Sequence, residues 1–444
     1  MVVEHLLGKF ANHFTSLATS SMSFQNTLAY AQTQDHADEL RYFREHFHIP
    51  QHNGQDTVYL CGNSLGLQPK SARAALEEEM TKWAELGVEG HFTGDDPWFT
   101  YHKTLAAPTA KLVGAKPEEV VIMNQLTVNL HLMLVSFYRP QGQRYKILTE
   151  AGAFPSDQYA LESQVKFHGY APEDAIIEIA PREGEHTWRT EDILQAIKDN
   201  GNEIALVLMG GLHYYTGQVF DMAAITQTAH EVGAICGFDL AHAAGNVPMQ
   251  LHDWDVDFAV WCTYKYLNSG PGGTSGVFVH ERHAQNPELP RFAGWWGHDQ
   301  RVRFKMQKGF IPMPGAEGWQ LSNAQILPMA VHKASLAIFD EAGIENLRAK
   351  SEKLTGYLEF LINGLHQPKD QLEIITPADP AARGCQLSLL VNKNGRQLFD
   401  TLMANGFILD WREPNVIRVA PTPLYNTFED VYRFGQFLAA HFQG

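Results

Sequence analysis

Between about residue 104 and residue 262, short uninterrupted apolar runs alternate with helical patterns, and this alternation limits the possible folds more than any other feature of the chain. The apolar runs are Val120–Met123, 145–149, 175–179, 204–209, 234–238 and 257–262. Helical periodicity fills 104–113, 127–138, 156–167, 190–199 and 221–231, with Gly114, Gly169 and Gly201 closing three of these segments. A strand that is apolar at nearly every residue is buried on both faces. The fold class expected is therefore α/β, a mostly parallel sheet covered by helices on both sides.

The pattern changes near residue 310. Helices over 324–341, 344–364, 396–404 and 428–442 flank two strands at 386–391 and 415–420, and Leu387, Leu389 and Val391 share one face of the first. Thr427, followed by Glu429 and Asp430, is a helix N-terminus. This reads as a smaller C-terminal α+β domain over 324–444 behind a large domain over 69–323. In the remaining N-terminal segment, 1–68, a helix is expected over 36–48 and a short strand running into a turn over 58–67. Pro69 opens a helix to Leu86, with Ala72, Leu76, Met80 and Trp83 at nearly helical spacing.

Composition narrows the function classes. The 444 residues are 44% hydrophobic and 19% charged, which is globular. A net charge of −16 without any Lys/Arg cluster argues against nucleic-acid or anionic-membrane partners. No apolar run approaches the ~18 residues of a membrane span. Residues 1–22 lack the apolar stretch of a secretory signal, and Met22 is a candidate start. Cys61, Cys236, Cys262 and Cys385 form no metal-binding spacing, and neither His280/His283 nor His46/His48 has further ligands in sequence, so no metal is expected and a reduced, cytoplasmic setting is.

Three constellations bear on chemistry. Gly62-Asn63-Ser64-Leu65-Gly66 matches the GxSxG elbow of serine hydrolases, but too few strands precede it; the alternative is a tight turn whose glycines supply positive φ. The second is more coherent. The run 234–238 ends in Asp239, with His242 beyond it, and the run 257–262 leads to Tyr264 and Lys265, followed by the loop Asn268-Ser269-Gly270-Pro271-Gly272-Gly273. A carboxylate and a lysine at the carboxyl ends of two strands suit pyridoxal phosphate: the lysine attaches it and the aspartate keeps its ring nitrogen protonated. Asn124-Gln125-Leu126-Thr127 joins a strand to a helix start and offers N–H groups and a hydroxyl to a phosphate. Phe154-Pro155-Ser156-Asp157, a similar turn, offers a stacking ring and a second carboxylate. The third constellation is Arg418 inside the apolar strand 415–420, either a structural ion pair or a clamp on an amino acid's α-carboxylate.

With these residues in view, the chain resembles the kynureninases, pyridoxal-phosphate enzymes of the aspartate-aminotransferase type (fold type I), from about residue 35 to the end. The resemblance rests on LCGNSLGLQPK (60–70), GVEGHFTG with PW at 97–98, NQLTVNLHLMLVSFY (124–138), AFPSDQYALESQ (153–164), YYTGQ (214–218), FDLAHAAGNV (238–247), the stretch 251–273 around TYKYLNSGPGG, GWWGH (294–298), QLSNAQ (320–325) and VIRVAPTPLYNTF (416–428).

The resemblance implies that Lys265 holds the cofactor and moves the α-proton, that Asp239 pairs with the ring nitrogen supported by His242, and that Phe154 stacks on the ring. It implies further that Pro155, Ser156 and Asp157 contact the cofactor from the same turn, that Leu126 and Thr127 contribute to the phosphate cup, and that Tyr264 bonds the phosphate and donates a proton. Trp295 and Asn323 are expected to reach the cofactor of a partner subunit in a homodimer. Arg418 would take the substrate carboxylate, with Asn63 and Ser64 beside the amino acid and His91, Ser322 and Asn323 beside the aromatic ring. Gly210 departs from many relatives, which carry a side chain there, and keeps only backbone contacts. The implied reaction hydrolyses L-kynurenine or its 3-hydroxy form to anthranilate or 3-hydroxyanthranilate plus L-alanine, in tryptophan degradation and NAD precursor synthesis. A different fold type I enzyme, such as a cysteine desulfurase or an aminotransferase, is a rival; a desulfurase needs a mobile cysteine, and Cys385 sits just before a strand rather than in a flexible loop.

Overall fold

The computed structural model describes residues 24–284, 286–365 and 371–443; the candidate start at Met22 lies outside them. Seven strands form the central sheet: β1 (Val120–Ile122), β2 (Lys146–Glu150), β3 (Ile176–Ile179), β4 (Ile204–Gly210), β5 (Ile235–Asp239), β6 (Phe258–Trp261) and β7 (Gly276–Val279). Their order is β1-β7-β6-β5-β4-β2-β3. β3, β2, β4, β5 and β6 run parallel, and β7 is antiparallel to both of its neighbours. The sequence reading missed β7, whose four residues follow the glycine-rich loop without a crossover helix.

Alternation along the strands gives each face its own core. Val207 and Met209 pack on one side with Phe238 and Trp261, while Leu206 and Leu208 pack on the other with Val260 and Phe258. Both faces are thus dry, as the continuous apolar runs require. The expected helices appear as α2 (Ser71–Leu86), α3 (Ala106–Val113), α4 (Leu126–Phe137), α5 (Pro155–Phe167), α6 (Thr190–Asp199) and α7 (Met222–Glu231), with α8 (Ile326–Ala342) and α9 (Ile344–Asn363) beyond the sheet.

A second core gathers around the antiparallel strands β8 (Leu372–Ile374), β9 (Leu387–Val391), β10 (Asp410–Arg412) and β11 (Val416–Val419), with α9, α10 (Gly395–Ala404) and α11 (Phe428–Gln443). Part of the N-terminal segment belongs to it. Ala31, Val58 and Leu60 are buried there, and Val58–Tyr59 pairs with Phe407–Ile408. Phe43, Phe47 and Leu67 pack instead on the large core, so 24–68 straps the two together. Thr427 caps α11 as expected, accepting the Asp430 N–H at 3.0 Å, and Asp35 adds bonds from Phe428 and Glu429.

Two local expectations are corrected. The single helix over 36–48 is instead α1 (Leu28–Ala37) and a 3-10 turn (Arg41–His46), because the Asp38 carboxylate takes the Leu40 N–H at 3.0 Å and starts a new turn. On α2, Ala72 is buried, but Met80 and Trp83 at the other end of the apolar stripe face outward.

Candidate active site

The carboxyl ends of β2, β4, β5 and β6 open into one cavity of about 190 Å³. Of the residues singled out in the sequence, Leu126, Thr127, Phe154, Ser156, Asp157, Gly210, Asp239, His242, Tyr264 and Lys265 line it. Pro155 starts α5 just behind them.

Each side chain is aimed by local structure. Asp239 ends β5, and its Oδ1 accepts the Ala241 N–H at 2.7 Å, which fixes the carboxylate at the strand end. Lys265 lies four residues past β6; its Nζ is 3.0 Å from His242 Nε2 and 5.7 Å from the centre of the Phe154 ring. The turn at 62–66 braces the lysine. The Gly66 N–H donates to the Tyr264 carbonyl at 2.9 Å, and a Cβ on Gly66 would stand 2.3 Å from the Lys265 carbonyl oxygen. Neither Gly62 nor Gly66 has positive φ. They are glycines because neighbours approach too closely for a side chain, which corrects the turn expected from φ alone.

At the other end of the cavity, α4 and α5 begin side by side. The Thr127 and Ser156 hydroxyls meet at 2.7 Å, and Gln125 leaves the first N–H groups of α4 without a side-chain cap. Two helix N-termini and two hydroxyls make an anion site.

The electrostatics are lopsided. Burial, together with the Asp239 and Glu150 charges, pushes the Asp157 carboxyl far above its ordinary range; burial also raises Asp239. Glu150, the last residue of β2, is pushed by burial to about 7, although it accepts the Gly210 N–H at 3.0 Å. Burial, and then the Lys265 charge, holds His242 well below the ordinary histidine range, so its imidazole is neutral. Asp157 Oδ1 and His242 Nδ1 are buried without a hydrogen-bond partner. Two mutually destabilising carboxyls call for a cationic N–H between them, and a protonated pyridine provides one. With the anion cradle opposite and the lysine between, the chain's own groups fit pyridoxal 5′-phosphate.

Glu150 and Tyr214 were not singled out in the sequence. Glu150 carried the same signal as Asp239, a carboxylate at the carboxyl end of a central strand. Tyr214 lies edge-on to Phe154, with centroids 5.3 Å apart, inside the quoted YYTGQ motif.

Arg418 is fully buried on β11, outside the cavity wall. Its Nε and Nη2 lie 3.0 and 2.8 Å from Asp410 Oδ1, and its Nη1 donates to the Tyr214 carbonyl at 2.8 Å. Ser64 is spent on Asp410 and Arg418, and among the described residues no histidine is bonded to it to serve as the base of the serine-hydrolase alternative. Asn63 donates to Gln386 Oε1 at 2.8 Å. Cys385 is buried and its thiol is pushed up to about 12, which makes it an inert thiol rather than a desulfurase nucleophile.

His91, Trp295, Ser322 and Asn323 do not reach this cavity. They are partly or fully exposed on another surface, where Phe92, Phe304 and Trp295 touch ring to ring. The histidine pairs without ligands in sequence also look different in space. His280 lies beside Glu119 and His252 at the opposite edge of the sheet, although Glu119 Oε1 is already taken by His252 at 2.9 Å and by the Glu281 N–H at 2.8 Å.

Residues 58–385 match the aminotransferase class-V family and 347–438 the kynureninase C-terminal domain. The chain is 58% identical to a kynureninase of Flavobacterium psychrophilum over 418 residues, covering 94% of this chain and 98% of that one. It is 56% identical to a kynureninase of Koribacter versatilis (95% and 99% covered) and 51% identical to one of Nematostella vectensis (93% and 94% covered). Among solved structures it resembles the apo cysteine desulfurase of Thermococcus onnurineus, with TM-score 0.71 and 17% identity over 87% and 95% of the two chains. A cystine C–S lyase in complex with cysteine persulfide gives TM-score 0.72 at 17% identity, over 86% and 97%. At that identity the likeness is one of fold.

Proposed function

The chain belongs to the kynureninase family, and from that premise we propose how its residues divide the work. It is a pyridoxal-phosphate-dependent hydrolase that splits the Cβ–Cγ bond of L-kynurenine-type substrates, leaving L-alanine and an anthranilate. When bound, the cofactor supplies the electron sink that stabilises negative charge next to the amino-acid nitrogen. Lys265 would hold the cofactor, and its Nζ would carry the α-proton of the substrate. Neutral His242, 3.0 Å away, orients that amine. Asp239 and Asp157 would hold the ring N–H, and Phe154 would offer its face to the ring. Thr127, Ser156 and the start of α4 bind the phosphate. Burial keeps the Tyr264 phenol protonated, as a proton donor to the leaving carbon requires.

Arg418 takes the substrate carboxylate, supported by its burial beside Tyr214, a residue of the cavity wall. The second subunit of a homodimer completes the site with Trp295 and Asn323. What supports this is a set of large apolar side chains left in water: Trp83, Val88, Phe92, Phe304 and Met306 are all more than half exposed. A reduced, cytoplasmic setting suits the four free, buried cysteines; among the described residues no helix is long and apolar enough to cross a membrane. Tryptophan degradation, feeding NAD precursor synthesis, is the pathway such a reaction serves.

The observation that carries this reading is the cavity itself: one lysine, three carboxyls pushed upward and an anion cradle on a single sheet edge. Following anthranilate fluorescence with purified protein, kynurenine and pyridoxal phosphate tests it. Turnover is expected, and no turnover by fully loaded protein would refute it.

A further inference from the structure

The carboxylate subsite contains a charge that the scheme above does not use. Asp410, at the start of β10, receives two arginines. Arg418 approaches Oδ1 from the buried side at 2.8 and 3.0 Å, and Arg412 approaches from the other, with Nε 2.9 Å from Oδ1 and Nη2 3.2 Å from Oδ2. The Ser64 hydroxyl bonds the same carboxylate. Among the described residues neither arginine is paired with a second acid; the neighbouring Glu413 is taken by the Trp411 indole at 2.9 Å. Two guanidiniums share one carboxylate, and the cluster carries a net charge of +1 a few ångströms behind Tyr214.

Arg418 is buried and Asp410 nearly so, while the Arg412 side chain is about a third exposed, so the uncompensated charge weighs on the Arg418 side, where it is costly unless a ligand balances it. Arg418 alone with Asp410 would be a neutral pair with little pull on an anion. Arg412 changes that. We propose that Arg412 is the positioning residue that sets the charge of this subsite: it neutralises Asp410 from the outer side and so leaves Arg418 a net positive charge for the substrate's α-carboxylate. This rests on the reading of Arg418 as the carboxylate clamp, and the test separates the two.

The holoenzyme is titrated with L-alanine, which bears the carboxylate, and with L-alaninamide, which does not, while the visible absorption of the bound cofactor is followed. Arg412→Gln should raise the Kd for L-alanine about 10-fold, the weight of one partly screened charge, and move that for L-alaninamide by less than about 2-fold. Arg412→Lys should keep most of the wild-type selectivity, because the charge is retained. Equal weakening of both ligands by Arg412→Gln would mean a merely structural role, and an unchanged L-alanine Kd would mean no role; either overturns the inference. Arg418→Lys is the control. If it leaves L-alanine binding intact, the clamp reading itself fails; if it weakens L-alanine selectively while Arg412→Gln does not, only this inference fails.

Discussion

The two edges of the central sheet use the same residue types to opposite ends. At the amino edge, Asp257 precedes β6 and is buried, like Asp239 at the carboxyl edge. It accepts from the Cys236 N–H at 2.7 Å, His230 at 2.9 Å, His283 at 2.6 Å and Arg282 at 2.5 Å. Burial alone would raise its pKa, but the hydrogen bonds from His230 and His283 and the Arg282 charge pull it well below the carboxylate range. At the carboxyl edge Asp239 and Glu150 have single backbone N–H donors from Ala241 and Gly210 in place of an arginine and two histidines, and burial pushes Asp157, Asp239 and Glu150 all up even though the Lys265 charge pulls the two aspartates partly back. Buried carboxylates that are satisfied hold a fold together. Those left wanting a cation mark where a ligand goes.

Substitutions can sharpen this contrast. The largest effect is expected from Lys265→Ala, which should abolish turnover because the attachment point and the proton carrier vanish together; measurable kcat in the purified variant would contradict its role. Next come the paired aspartates. Asp257→Asn should lower unfolding free energy by roughly 1–3 kcal/mol, because an amide cannot accept from Cys236, His230, His283 and Arg282 together, and leave the cofactor's visible spectrum unchanged. Asp239→Asn should do the reverse, losing cofactor in dialysis with little change in apoprotein melting. If both variants behave alike, the two edges do not differ as described. The pH dependence also differs in sign. Asp257, with a lowered pKa, stabilises the fold above its ordinary value and loses that contribution only in strong acid.

Glu150 runs the other way. Raised from 4.5 to about 7, it costs nothing below its ordinary value, destabilises the apoprotein progressively as pH rises from 4.5 to about 7, and levels off above that. Glu150→Gln should therefore stabilise the apoprotein by up to about 3 kcal/mol at pH 8 and hardly at all at pH 4, in denaturant titrations at both values. Arg418→Lys, which replaces a planar fork with a point charge, should cost a further ~10–100-fold in kcat/KM. The smallest effect concerns substrate choice. On the proposal that His91, Ser322 and Asn323, which lie outside the cavity of their own subunit, stand beside the substrate ring in the homodimer, kcat/KM should be higher for 3-hydroxykynurenine than for kynurenine, and replacing His91 and Asn323 together should narrow the gap. Equal specificity constants in the wild-type enzyme would remove that assignment.

The contrast also explains what the sequence could convey. The parallel strands were legible because burial on both faces leaves continuous apolar runs, and Asp239 and Lys265 were legible because each directly follows one. β7 was not, since four apolar residues say nothing about direction. α1 was not either: LAYAQTQDHA buries only Ala31 and owes its place to packing on α11. Arg418 showed as an arginine in an apolar strand, but its partner Asp410 and the second arginine beyond it depend on the pairing of β10 with β11, which spacing does not give. Glu150 was overlooked because a glutamate ending a strand is usually solvated, and only the fold sets it against Asp157.

The central claim is that one lysine, among carboxylates left without a cation, holds pyridoxal phosphate. Borohydride reduction of the holoenzyme, digestion and peptide mapping test it most directly. The account predicts a single modified lysine at Lys265, in the peptide that contains Thr263, Tyr264 and Tyr266; a reduced cofactor attached to any other lysine, or to none, would contradict it.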